Sequence, residues 1–273
     1  MRAILLAAGK GTRLEQGAGE RAKCLLKLGE LTIIERQIFY LRQSDIEDIV
    51  VVVGFQSQQV RQVCGAGVQY IENPIYQETN SLYSLWLARH FFLDGFVVMN
   101  TDVFFHPQLL LDLLTARYED ALLVGYREDN SYGDEEMKVK ISRGQVIEIS
   151  KEMDPNQADG ENVGIVKFGV SGARILTEQL GTLIKDGGLR SWAPRAFQHF
   201  AKLRPLHAIG TRGYPWIEID FAADYERAFE VILPQLPILP PKAFQAIPGL
   251  NQKGRGSSGS DETESDYRPG APD

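Results

Sequence analysis

The stretch Leu6-Ala7-Ala8-Gly9-Lys10-Gly11-Thr12-Arg13-Leu14 decides how the rest of the chain reads. An apolar run, Ala3–Ala7, stops at two glycines, a hydroxyl and an arginine. Glycine at the end of a buried strand lets backbone N–H groups approach a phosphate closely, and a helix start or nest beyond it adds positive dipole. Two familiar phosphate loops do not fit. The P-loop needs G-x-x-x-x-G-K-[ST], which is absent. The dinucleotide fingerprint needs a third small residue where Leu14 stands and a carboxylate after the second strand, where Val53-Gly54-Phe55 carries none. What remains is a loop with Lys23 ten residues beyond Arg13. The two can bracket a polyphosphate, arginine as a bidentate fork and lysine as a point charge. A tight structural turn and a solvated lysine account for the same residues.

Outward from that loop, apolar runs recur at Ile49–Val53, Val68–Ile71, Phe96–Met99 and Ala121–Val124. Continuous Val/Ile/Leu runs predict strands buried on both faces, as in a parallel sheet. Helical patterns lie between them. Thr32-Ile33-Ile34-Glu35 has the capping-box spacing and predicts a helix to about Gln43. Ser81–Phe92 sets Leu82, Leu85 and Trp86 on one side, and Pro107 opens a third helix carrying Leu109 to Leu114. From Met137 the pattern changes. Lys138–Ile141 and Val146–Ile149 flank Arg143-Gly144-Gln145 as a hairpin. A strand at Val163–Phe168, helices near Ala173–Lys185 and Trp192–Lys202, a strand at Trp216–Ile219 and a helix at Ala222–Val231 complete the series. This predicts an α/β core of parallel strands with a mixed extension completing the sheet.

At 273 residues, 44% hydrophobic and 24% charged, the chain has the composition of a globular protein with a sizeable core. Its 29 basic and 36 acidic residues give a net charge of −7, which excludes a protein that coats nucleic acid but not one that binds a small phosphorylated substrate. Cys24 and Cys64 have no CxxC or histidine spacing, so neither a disulfide framework nor a thiolate zinc site is expected. No apolar run approaches the ~18 residues of a membrane span, and the run before Gly9 is too short for a secretory signal. No membrane partner and a cytoplasmic location are expected. Pro234, Pro237, Pro240 and Pro241 punctuate an apolar segment that cannot be a regular helix. It is expected to pack across the body or at an interface, which leaves a homodimer open. The Gly-, Ser- and Pro-rich residues 251–273 are expected to form a disordered tail. The expected boundaries are 1–232 for a catalytic domain, 233–250 for a proline-rich extension and 251–273 for the tail.

The loop residues Leu6–Leu14, with Ala22-Lys23-Cys24-Leu25 after them, resemble the signature of the nucleotidyltransferases that activate sugar phosphates and related phosphate esters. The usual proline before the lysine is Ala22 here. Asn100-Thr101-Asp102 resembles that family's metal-binding aspartate at the end of the fourth strand, and Glu218-Ile219-Asp220 its second metal carboxylate. The resemblance covers about residues 1–232. Asn73–Tyr76, Thr79–Leu85, Asp134–Val139 and Ala158–Gly164 are similar to the branch that transfers CMP to phosphocholine, 2-aminoethylphosphonate or inositol phosphate. The resemblance implies a Rossmann-like (GT-A-like) α/β fold, a mixed, mostly parallel sheet with helices on both faces. It implies a cytidylyltransferase using CTP, with Mg²⁺ on Asp102 and Asp220 and a small phosphorylated alcohol or phosphonate as acceptor. Arg13 and Lys23 then hold the triphosphate. Leu6, Ala7, Ala8, Gly9, Gly11, Thr12, Asn80 and Ser81 border the nucleotide, and Lys151 meets the acceptor's phosphate, with Lys138 and Lys167 as alternatives.

The chemistry suits these residues. A phosphate ester's second pKa is about 6, so the attacking oxygen is already an anion at neutral pH and no general base is required. What is required is neutralisation of two anions and their alignment for in-line displacement. The residues alone leave several roles open. Asp102 ends an apolar strand at the edge where open α/β sheets bind ligands, or is a turn residue before Pro107. Asp220 is a ligand or an N-cap, Asn80 likewise a nucleotide contact or a cap, and Glu218 a group behind the cation or facing substrate. Asp134, Glu135, Glu136 and Glu161 can receive an ammonium or hydroxyls, with Tyr132, Trp192 or Trp216 stacking on it. A solvated acidic loop over core aromatics is the plainer alternative. Three other functions stay open: a sugar-1-phosphate uridylyl- or thymidylyltransferase, a catalytically silent nucleotide-binding regulatory module, and a nicotinamide oxidoreductase, which the missing carboxylate disfavours.

Overall fold

The protein is described by a computed structural model over residues 1–11, 21–127 and 132–239. Thr12, Arg13, Leu14, Pro240, Pro241 and the 251–273 tail lie outside the described residues. The first apolar run is β1 (Arg2–Ala7), and a ribbon of β2 (Lys27–Leu28) and β3 (Leu31–Thr32) leads into α1 (Ile33–Gln43). The capping box forms as spaced. Thr32 Oγ1 accepts from the Glu35 N–H at 3.3 Å, and the Glu35 carboxylate accepts from the Thr32 N–H at 2.7 Å. Next come β4 (Ile49–Val53), α2 (Ser57–Cys64), β5 (Gln69–Glu72), α3 (Ser81–Leu87), β6 (Phe96–Asn100), β7 (Val103–Phe105), α4 (Pro107–Thr115) and β8 (Ala121–Gly125). The second half holds β9 (Lys138–Ser142), β10 (Gln145–Ser150), β11 (Gly160–Phe168), α5 (Val170–Lys185), α6 (Pro194–Ala201), β12 (His207–Gly210), β13 (Trp216–Glu218) and α7 (Ala222–Arg227).

Nine of these strands make one sheet in the order β5-β4-β1-β6-β11-β8-β12-β10-β9. β5, β4, β1 and β6 are parallel, and β12 is parallel to β8. β11 runs antiparallel between β6 and β8, and β10 antiparallel between β12 and β9. All but β10 and β11 point one way, so the sheet is mixed and mostly parallel. Side-chain alternation along β1 explains why helices cover both faces. Ala3, Leu5 and Ala7 join Ile34, Ile38, Val60 and Leu109 of α1, α2 and α4 in one core. Ile4 joins Leu85, Leu176, Leu180 and Phe200 of α3, α5 and α6 in the other. Each fully buried Leu or Phe stabilises the fold by about 1.5–3 kcal/mol.

The β9–β10 turn places Arg143 at φ 52° and Gly144 at φ 75°, the left-handed pair that a two-residue hairpin demands. Some ends differ from the sequence expectation. The helix from Ser81 stops at Leu87 and tightens into a 3₁₀ turn over Ala88–Phe91, and the last helix widens into a π turn over Ala228–Ile232. Leu236 of the proline-punctuated segment is buried with Leu26, Ile33 and Phe104. Among the described residues no helix is long and apolar enough to cross a membrane.

Candidate active site

β1 and β6 lie side by side, and their carboxyl ends meet the glycine loop. Leu6 is in register with Asn100, and Thr101 Oγ1 donates to the Leu6 carbonyl at 2.8 Å. The chain then turns through Thr101-Asp102 into β7. β13 pairs antiparallel with β7, Glu218 opposite Val103, and the Ile219 N–H donates to the Asp102 carbonyl at 2.9 Å. This pairing brings Asp102, Glu218 and Asp220 together, with one oxygen from each within 4.8 Å of the others. The cap of α7 is supplied by Asp224, whose carboxylate accepts from the backbone N–H of Asp220 at 3.0 Å and of Phe221 at 2.7 Å. Asp220 therefore does not serve as the N-cap, and its own carboxylate meets Lys23.

Lys23 opens a 3₁₀ turn (Lys23–Leu25), and its Nζ bonds Asp220 and lies 3.4 Å from Asp102. Its side chain is 13% exposed. Burial works against the ammonium, but Asp102 and then Asp220 outweigh it and hold its pKa above the usual lysine value. Gly11 makes room for this side chain, since a Cβ there would stand 2.5 Å from Lys23 Cγ, and its φ of +66° suits glycine. For Glu218, burial first and then Asp102 and Asp220 push the carboxyl up to about 8. Asp102 Oδ1 is buried without a hydrogen-bond partner among the described residues. A buried, unpaired carboxylate oxygen beside two further carboxylates is a donor set for a hard divalent cation, and these three residues fit one.

A cleft of about 270 Å³ joins this cluster to Leu6, Ala8, Gly9, Asn80, Ser81, Lys151 and Trp192. Ala7 and Gly11 border a smaller depression of about 120 Å³ that shares Lys23 and Asp102. Arg13 and Thr12 lie outside the described residues. Asn80 Oδ1 accepts from the Ser81 N–H at 2.7 Å, and Ser81 Oγ accepts from the Ala193 N–H at 2.8 Å, so both build the rim they line. Lys151 Nζ sits 5.0 Å over the Trp192 ring and 3.3 Å from Glu135.

Lys138 and Lys167 need correction as substrate contacts, and Glu136, Glu161 and Tyr132 stand outside this cleft. Lys138 is fully buried and its Nζ donates to the Gly133 carbonyl at 2.8 Å, so its ammonium secures the 133–137 loop and does not reach the cleft. Glu136 and Glu161 face a neighbouring depression of about 860 Å³ that meets the cleft at Glu135, Glu218 and Asp220. Both are paired there with Arg127, at 2.7 and 3.0 Å, a partner the sequence did not single out. Lys167 donates to the carbonyls of Leu114 and Ala116, away from the cleft. Tyr132 is buried with Met153 and Ala158. The sequence marked Asn73 only as part of a resemblance and gave it no role of its own. Its amide, nearly fully buried, donates to Thr79 and Ser84 and accepts from the Ile75 N–H, which shapes the loop up to Asn80.

Residues 3–254 match the family of MobA-like NTP transferase domains. The chain belongs to that family. The chain is 29% identical over 235 residues to the bifunctional IPC transferase and DIPP synthase of Rubrobacter xylanophilus, covering 85% of this chain and 52% of that protein. It is 32% identical over 130 residues to the choline-phosphate cytidylyltransferase of Streptococcus pneumoniae, covering 47% and 55%. The chain thus spans about half the length of these relatives. A solved structure of CTP:phosphocholine cytidylyltransferase from Streptococcus pneumoniae matches with a TM-score of 0.68 at 22% identity, covering 85% of this chain and 98% of that one. That likeness shows the Rossmann-like α/β fold.

Proposed function

We propose that this NTP transferase domain transfers CMP from CTP to a small phosphate monoester or phosphonate, with release of pyrophosphate. The observation that carries this reading is the convergence of Lys23, Asp102, Glu218 and Asp220 beside a glycine loop in one cleft. The acceptor's anionic oxygen attacks the α-phosphorus, and the bond to pyrophosphate breaks as the new P–O bond forms. Lys23, together with Arg13, neutralises the triphosphate. Asp102 and Asp220, joined by Glu218, would hold Mg²⁺. That ion would supply positive charge against the phosphate oxygens and the leaving pyrophosphate. Lys151, steadied by Trp192 and Glu135, receives the acceptor's phosphate or phosphonate group. The loop ending in Asn80-Ser81 and the backbone at Leu6, Ala8 and Gly9 border the nucleotide. The cytidylyltransferases among the relatives support CTP as donor.

Pyrophosphate release in Mg²⁺ tests the reading, with each of the four nucleoside triphosphates against phosphocholine, 2-aminoethylphosphonate, inositol phosphate and sugar 1-phosphates. Release that requires CTP and one of the first three acceptors is expected. Preference for UTP or dTTP with a sugar 1-phosphate would make the protein a sugar-nucleotide enzyme. No release with any pair would make it a nucleotide-binding module without turnover.

A further inference from the structure

Gln37 is a polar residue on the core face of α1, and it is 1% exposed. The neighbouring core positions of that helix hold Ile34, Ile38 and Leu41, all buried. The Gln37 Nε2 group donates both its hydrogens, to the Asn100 carbonyl at 3.0 Å and to the Val103 carbonyl at 2.9 Å. Both partners are acceptors, so only the NH₂ end of the amide can face them. The other end is left without a partner, because Oε1 is buried and makes no hydrogen bond among the described residues. An orphaned buried acceptor is costly, and an apolar side chain would avoid that cost. What Gln37 gains lies entirely in the two donor bonds.

Those two bonds grip the last residue of β6 and the first of β7, the positions on either side of the two-residue turn Thr101-Asp102. The turn itself is tied to β1 through Thr101 Oγ1 and Leu6, and to the end of β13 through the Asp102 carbonyl and Ile219. Gln37 adds two further ties, from α1. We infer that Gln37 is the positioning residue for the Asp102 carboxylate, setting through the backbone where its oxygens stand. The inference rests on the proposed reading of Asp102 as a cation ligand. A ligating oxygen must be held to a fraction of an ångström, and partners that orient ligands commonly change metal affinity by about 10–100-fold.

The test is Mn²⁺ affinity of the full chain by electron paramagnetic resonance, without nucleotide, alongside cooperative unfolding. Gln37→Met keeps volume and removes both donors. It is expected to unfold cooperatively near the wild-type midpoint and to bind Mn²⁺ about tenfold or more weakly, with kcat reduced and the acceptor KM unchanged. Arg36→Met is the comparator. Arg36 is also buried on α1 but donates to the Leu28 carbonyl and does not touch the turn, so its Mn²⁺ affinity should stay at the wild-type value. Wild-type Mn²⁺ affinity in Gln37→Met, or an equal loss in Arg36→Met, overturns the inference while leaving the cation site intact. Failure of both Gln37→Met and Gln37→Leu to fold also overturns it, in favour of a purely structural role. Absence of Mn²⁺ binding by the wild type, at the level of Asp102→Asn, overturns the cation reading and this inference with it.

Discussion

Lys23 and Asp220 form an ion pair although 197 positions separate them in the sequence. Asp102 lies 3.4 Å from the same ammonium, and Glu218 adds a third carboxyl. The cluster carries one fixed positive charge against as many as three negative ones. On the proposed reading a divalent cation would supply the missing charge, and a triphosphate would give Lys23 a second anion to bind.

Replacing Asp102 with Asn removes a ligand charge without changing side-chain volume. The variant is expected to unfold near the wild-type midpoint. It should lose about 3 kcal/mol or more of transition-state stabilisation, roughly a hundredfold or more in turnover. Pyrophosphate release beside a thermal melt checks this, and near-native turnover would remove Asp102 from the site.

Lys23→Met leaves the carboxylates facing one another without their ammonium. Because these side chains keep about a fifth of their exposure, the expected cost in EDTA is about 1–3 kcal/mol, below that of a fully buried pair. Added Mg²⁺ should recover most of the loss through preferential binding to the folded state. Chemical denaturation with and without Mg²⁺ reads both effects, and an unchanged midpoint in EDTA would contradict the account.

The raised pKa of Glu218 gives stability a pH dependence of known sign. Its carboxyl titrates at about 8 in the folded protein against an ordinary value of 4.5. Between these pH values the folded state keeps a proton that the unfolded state releases, so the residue's contribution falls as pH rises through that window and is constant outside it. Glu218→Gln should flatten the difference between urea denaturation curves at pH 5.5 and 8.5 in EDTA. Equal slopes in variant and wild type would show that Glu218 is not buried among its fellow carboxylates.

Lys151→Ala should raise the acceptor KM about tenfold or more, the worth of a charge-assisted hydrogen bond, with KM for CTP near the wild-type value. Initial-rate kinetics in both substrates separates the two. A selective rise in KM for CTP would place Lys151 on the nucleotide side.

Local signals explain which parts of this arrangement were legible in the sequence. The Thr32–Glu35 capping box and the Arg143-Gly144 turn act between near neighbours, so spacing alone identified them. Asp102 and Asp220 follow short strands, a position that a one-dimensional pattern records. β12 gave no such signal, because His207–Gly210 is half-buried throughout and owes its place between β8 and β10 to tertiary pairing. Lys138 read as a lysine seeking an anion, but it found carbonyls of its own loop. Arg127 and Gln37 depend on partners far away in sequence, and a lone arginine or glutamine carries no periodicity to mark it.

Anomalous diffraction from crystals grown with Mn²⁺ and CTP tests the central claim most directly. The account predicts a manganese peak bounded by the carboxylates of Asp102, Glu218 and Asp220, with the triphosphate on Lys23. A peak confined to the Glu136 and Glu161 side, or CTP bound with no metal at these three residues, would contradict it.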